Sequence, residues 1–241
     1  DFPWTAVTQL KSALAGQLLS PESEHYDDAR ALWNGMIETR PGLIVQCASA
    51  ADVVAAVAFV RDHRARVAVK GGGHNVAGLA LCEGGVVIDL SKLRSIHVDP
   101  RARTVRAEGG VTWAELDRET LAVGLATTGG MVSSTGIGGL TLGGGLGWQM
   151  ARHGLVCDNL LSADVVTADG RLVTASPMGD QELFWALRGG GGNFGVVASF
   201  EYRLHDMPPF VGGMVLYPLA DAREVLKGYR DFAQAAPDDL T

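Results

Sequence analysis

The chain has 241 residues, 47% of them hydrophobic, with 20 Lys and Arg against 27 Asp and Glu for a formal net charge of −7. That length suits one large domain or two small ones, and the apolar content builds a core and excludes a disordered chain. The acidic balance leaves no footprint for nucleic acid, no apolar run is long enough for a membrane, and Cys47, Cys82 and Cys157 make no metal-ligand spacing.

Residues 5–15 predict a short amphipathic helix. Residues 20–40 read as irregular with one helical turn, and Trp33 there reads as core packing. Residues 1–40 together form an N-terminal helical segment. Pro41 opens a clearer unit. Residues 43–47 predict a strand, and Ser49 an N-cap with Asp52 completing an approximate capping box. Val53, Val54, Val57, Ala58 and Val60 follow at helical spacing. The basic run at 61–66 reads as a solvated helix end. Residues 67–69 predict the next strand, and Gly84-Gly85 turns the chain into another at 86–89.

Between those strands stands VKGGGHN. Three successive glycines after a strand make a turn without Cβ atoms, which lets a ligand approach the backbone. Successive N–H groups in such a turn form a nest suited to a pyrophosphate, and His74 stands at its end.

Residues 104–107 predict a strand, with Glu108 as a structural turn acid. Thr112 predicts an N-cap with Glu115 at the capping-box position, heading a helix through Trp113, Leu116 and Leu121. The densest of the 32 glycines follow in GIGGLTLGGGLGW. A helix this rich in glycine costs about 1 kcal/mol per glycine relative to alanine, so close packing against a flat ligand is the expected reason for it. Residues 161–167 and 171–174 predict a hairpin about Asp169-Gly170. Residues 182–187 predict a helix, and the second half of RGGGGNFGVVASFEYRL a strand. Pro208-Pro209 reads as a linker, followed by a strand at 214–217 and a helix at 220–235. No loop fits the dinucleotide fingerprint, and no GxxxxGK[ST] is present, so several glycine loops converging on one long cofactor is the reading.

These stretches carry a resemblance. RPGLIVQCASAADVVAAV, VAVKGGGHNVAG, GGLTLGGGLGW, GLVCDNLLSADVVTADGRLV and LFWALRGGGGNFGVV, in this order, resemble the PCMH-type FAD-binding domain of the vanillyl-alcohol oxidase family, in its berberine-bridge-enzyme-like branch. The resemblance implies an α+β fold: a FAD-binding domain over residues 41–205, with α/β subdomains at about 41–100 and 101–205 and FAD between them. Residues 210–241 would open a substrate domain. The chain begins without Met and stops inside that unit, so the expectation is part of a longer polypeptide.

The resemblance also implies the site. Lys70, Gly71, Gly72, Gly73, His74 and Asn75 would form the pyrophosphate loop, with Gly78 closing it. His74 matches the histidine bonded to the flavin 8α carbon; the alternative is a histidine that only hydrogen-bonds a phosphate. Thr128, Gly129, Ser133, Ser134, Thr135, Gly136, Gly138, Gly139, Gly143, Gly144 and Gly147 would pass close to the isoalloxazine and pyrophosphate. Asp158 and Asn159 match a family turn, with local capping as the alternative. Gly192, Asn193, Gly195, Val196 and Val197 match the adenine and ribose side. Val132 stands where many relatives have a second covalent cysteine, so attachment is expected through His74 alone. Cys157 then reads as a buried structural thiol. Thr135 matches a position that influences oxygen access, and Leu140 one where several relatives carry histidine.

The implied activity is a FAD-dependent oxidoreductase, an oxidase taking hydride from a small-molecule alcohol, sugar or amine and passing it to oxygen. The alternatives are a flavin dehydrogenase with another acceptor, a non-catalytic FAD-binding fragment, or a nucleotide module without flavin. No catalytic base is assigned. No nucleic-acid, membrane or metal partner is expected. The sparse cysteines and a start without signal-peptide regions predict a cytoplasmic protein.

Overall fold

The computed structural model describes residues 2–237 and 240. Asp1 of the expected N-terminal segment and Asp238, Asp239 and Thr241 of the expected last unit lie outside the described residues.

Helix α1 (Trp4–Ala13) leads to β1 (Gln17–Leu19) and the short α2 (Tyr26–Arg30). Then come β2 (Leu43–Gln46), α3 (Ala50–Asp62), β3 (Val67–Lys70) and β4 (Val86–Asp89). These strands form a sheet in the order β1-β2-β4-β3, parallel except for β1. Strand β4 therefore slots between β2 and β3. Parallel neighbours need a long crossover, usually a helix. From β3 to β4, residues 71–85 make it as a glycine-rich loop.

The second sheet is wholly antiparallel. It contains β5 (Ile96–Asp99), β6 (Thr104–Glu108), β8 (Leu160–Val166), β9 (Leu172–Ala175) and β10 (Val196–Arg203), after the short β7 (Leu125–Ala126) is set aside. The order is β5-β6-β10-β8-β9. Strand β7 pairs instead with β11 (His205–Asp206). Helices α4 (Trp113–Leu121), α5 (Ile137–Leu142), α6 (Met150–His153) and α7 (Gln181–Leu187) belong to this half, and α8 (Ala222–Ala235) follows after the second sheet.

Three apolar clusters hold the halves. One fills the second sheet with Trp113, Leu116, Ile137, Phe200 and Tyr202. Another packs α1 and α3 on the first sheet and reaches across to Val166 and Val196 of the second, so the sheets share a core. The third covers the other face of the first sheet with Tyr26 and Leu81. Tyr26 is buried, and its hydroxyl donates to the Pro41 carbonyl at 2.6 Å.

The caps show how one methylene changes a local structure. Ser49 accepts from Asp52 N at 3.2 Å, as expected. The returning half of that box does not form. The buried Asp52 carboxylate accepts instead from the backbone N–H groups of Ala15, Gly16 and Ala48 at 2.9, 2.9 and 2.8 Å, tying α1 to α3. Burial raises its pKa, but these donors and the Ser49 hydroxyl outweigh it and hold the carboxyl below its usual range. Glu115, longer by one carbon, does reach back and accepts from Thr112 N at 2.9 Å.

Other expectations are revised. Trp33 is not in the core: it is 64% exposed. The strand expected at 214–217 does not form, because those residues are exposed and, among the described residues, no strand lies beside them to take their hydrogen bonds. Four strands, β1, β5, β7 and β11, have no counterpart in the sequence reading, because each is only two to four residues long, too short for a period to show. The glycine-rich segment does hold a helix, α5, whose Gly138 rests on the Gly109 carbonyl and the Phe200 ring. Cys157 is a buried free thiol, as expected.

Candidate cofactor site

The site forms where the end of β3 meets the loop before α5. A Cβ added at Gly72 would lie 2.2 Å from the Gly136 nitrogen, so only glycine lets these two backbones touch. The second loop is hung from the start of α4: Trp113 N donates to Thr135 O, Ala114 N to Ser133 O, and Thr112 forms a bridge with Gly136. The Gly109 carbonyl lies against Gly71 and Gly138.

Among the described residues, no backbone or side-chain acceptor takes the N–H groups of residues 71–75. Gly73 adopts φ +69°, a left-handed conformation of the kind found where successive N–H groups form a nest. Three of these five residues carry no Cβ, so the cradle offers the kind of donor set an anion takes. A pyrophosphate fits that donor set by charge.

His74 is half-buried at the end of the cradle. Its Nε2 lies 3.0 Å from the Ser134 hydroxyl. Its ring stacks on Trp33, with centroids 5.5 Å apart and planes 22° from parallel. Lys70, expected in the pyrophosphate loop, donates its ammonium to the Ala29 carbonyl at the end of α2 at 2.5 Å. Asn75 and Gly78 close the loop through Gly78 N to Asn75 O.

Around the second loop, Trp113 lies beneath Gly129 and Gly130, and Gly147 packs against the Gly129 backbone. The indole Nε1 of Trp113 and the hydroxyl of Thr127 are buried without a partner among the described residues. Thr128 donates to Gly154 O. Gly143 caps α5, and Gly144 O accepts from Cys157 N. Gly139 is exposed with open space beside it. The same loops carry exposed apolar side chains: Val76, Leu79, Met131, Val132, Leu146 and Trp148.

Not every expected residue faces this point. Asp158 pairs with Arg188 at 3.1 Å and accepts from Leu155 N. The buried Asn159 donates to His153 O and Leu155 O and contacts His205, so both side chains are committed locally. Gly192, Asn193, Gly195 and Val196 line a different stretch, a cleft of about 480 Å³ between the sheets that Val67, Val69 and Val166 also line. Val197 turns its carbonyl toward Gly109. A smaller cavity of about 270 Å³ opens on the second sheet near His97, but its Arg106, Asp164 and Ser199 bond one another.

Two residues went unrecognised as part of the site. Trp33 carried a signal: an aromatic in a polar stretch with no apolar period has no core face to join. Gly109 carried only its place after a strand.

A glycine cradle between an α/β half and an antiparallel half, with a histidine at its rim, defines a PCMH-type FAD-binding domain. Residues 41–176 match the FAD binding domain family, and the chain belongs to that family. Its branch is that of the berberine-bridge-enzyme-like FAD-linked oxidases. The chain is 41% identical over 214 residues to the FAD-linked oxidoreductase pgmH of Aspergillus terreus, covering 88% of this chain and 44% of that protein. It is 39% identical over 196 residues to (R)-6-hydroxynicotine oxidase of Paenarthrobacter nicotinovorans, covering 81% and 43%. The crystal structure of a Bermuda grass isoallergen superposes with a TM-score of 0.87 at 30% identity, covering 98% of this chain and 51% of that one. The chain thus spans about half the length of the curated relatives it matches. Among the described residues no helix is long and apolar enough to cross a membrane.

Proposed function

We propose that this chain holds FAD in the cleft between its two sheets and serves an oxidoreductase that oxidises a small-molecule alcohol, sugar or amine with dioxygen as acceptor. One observation carries it: five successive N–H groups without an acceptor among the described residues lie in the loop that meets Gly136, and His74 is part of that loop. Residues 71–75 would bind the pyrophosphate. The valine-lined cleft beside Gly192 and Gly195 would take the adenine end, since it is apolar and opens along β3. Ser133, Ser134, Thr135 and Gly129 would border the isoalloxazine, with Trp113 as the floor beneath. The two subdomains would divide between β4, which ends at Asp89, and β5, which begins at Ile96 and already belongs to the antiparallel sheet.

His74 would bond FAD through its imidazole. Val132, unable to form a second bond, leaves a single attachment. When bound, FAD supplies a two-electron acceptor that dioxygen can reoxidise. The exposed apolar side chains on the three loops would exclude water from the reacting face. The oxidase named among the relatives supports oxygen as acceptor.

Acid precipitation of the purified protein tests this. Yellow colour kept in the pellet, and lost in His74→Ala, is the expected result. Colour released to the supernatant overturns the covalent bond but not FAD binding. A protein that stays colourless after FAD is added overturns the reading of the site. With substrate, peroxide formed in step with turnover is expected; dye reduction without peroxide makes the protein a dehydrogenase.

A further inference from the structure

His74 is gripped more firmly than a phosphate contact requires. Trp33 N donates to Gly73 O at 3.1 Å, and Asn34 Nδ2 donates to Val76 O at 2.8 Å. These two bonds clamp the chain on either side of His74 to the 33–34 segment. The Trp33 indole then covers one face of the imidazole. From the neighbouring loop, Ser134 Oγ meets the ring edge at Nε2, 3.0 Å away. That loop is placed by the Gly72–Gly136 contact and by the start of α4. The 33–34 segment thus holds the face and the flanking backbone of this histidine, and the loop before α5 holds its edge.

The edge contact decides which nitrogen can react. A neutral imidazole has one N–H and one lone pair, and the partner of one nitrogen selects the tautomer. If Nε2–H donates to Ser134 Oγ, the Nδ1 lone pair is free. If the hydroxyl donates to Nε2, then Nδ1 carries the proton and the Nε2 lone pair is occupied, so neither nitrogen is a nucleophile.

We propose that Trp33 and Ser134 are positioning residues for His74, holding its imidazole as the Nε2–H tautomer with Nδ1 free to form the bond to the flavin 8α carbon. This rests on the reading of His74 as the attachment point. The step balances as follows. The Nδ1 lone pair forms one N–C bond, and the 8α methyl carbon gives up one hydrogen as a proton. The imidazole sheds its Nε2 proton. The two electrons left on the ring, with these two protons, go to dioxygen as hydrogen peroxide. Ser134 changes role in the step: it accepts from Nε2–H beforehand and donates to the Nε2 lone pair afterwards. Trp33 keeps the ring from rotating away from Ser134.

The test uses the whole 241-residue chain, made flavin-free from riboflavin-starved cells and mixed with FAD. Binding is read by flavin fluorescence and attachment by acid-stable colour over time. Ser134→Ala should still bind FAD but attach it about five to ten times more slowly, the scale of one net hydrogen bond. Ser134→Thr should restore the rate, since it returns the hydroxyl. Trp33→Ala should slow attachment and Trp33→Phe recover it. Imidazole 15N resonances, assigned against His74→Ala, give a readout without flavin: the Nε2–H pattern in the unmodified chain and a mixture of tautomers in Ser134→Ala. Attachment at the unmodified rate in Ser134→Ala, with the tautomer unchanged, overturns the proposal. Acid-stable colour surviving in His74→Ala overturns the attachment point itself, a different result in a different variant.

Discussion

At the scale of single residues, Asp117 reports directly on burial. It lies half-buried on α4, and burial, with nothing to offset it, pushes its carboxyl up to about 6. A carboxyl whose pKa is raised in the folded state binds its proton more tightly there than in the unfolded chain. Its cost is absent below pH ~4 and grows as pH rises through 6. Asp117→Asn should therefore stabilise the protein by about 1 to 2 kcal/mol at pH 8 and by nothing at pH ~4 in urea melts, a fraction of the full linkage because the site is only half-buried. This residue was silent in the sequence, since an Asp in an amphipathic helix looks like an exposed one. His74 was legible because its neighbours are three glycines, whose steric freedom is a local property. Trp33 was misjudged because its partner is an imidazole from a distant loop, and stacking there leaves the indole exposed.

At the scale of elements, the glycine loops behave differently from one another. A Cβ at Gly72 would strike the Gly136 backbone at 2.2 Å, and one at Gly136 would strike Gly72 at 2.4 Å. Neither contact is a flexible side chain, so the loops must part. Gly72→Ala should cost about 2 to 3 kcal/mol by overpacking and abolish FAD retention. Gly139→Ala, inside α5 with open space beside it, should raise stability by about 0.5 to 1 kcal/mol through helix propensity in the flavin-free protein. Its FAD affinity should fall, because the open space is where the cofactor would pack. Melting curves and FAD titrations of the two variants check both statements. Caps of α3 and α4 were readable from spacing because a cap spans four residues. The strand anticipated at 214–217 was not, because a strand exists only beside another.

At the scale of the whole molecule, the cofactor would join two sheets that already share an apolar cluster through Val166 and Val196. Binding only the folded chain, FAD at a hundred times its dissociation constant should add about 2.7 kcal/mol. For a chain of this size that corresponds to a rise of about 5 to 10 °C in Tm, measured by scanning calorimetry with His74→Ala to keep binding reversible. By itself the sequence determined the order of the glycine loops, the histidine at the rim of the first, the helix caps and the family, because each of these rests on residue types a few positions apart. Only the tertiary structure decided that β4 inserts between β2 and β3, that Gly72 meets Gly136, and that Trp33 and Ser134 close on His74. Those contacts join residues far apart in the chain, and no local spacing records them: they exist because the two sheets pack against each other at one place.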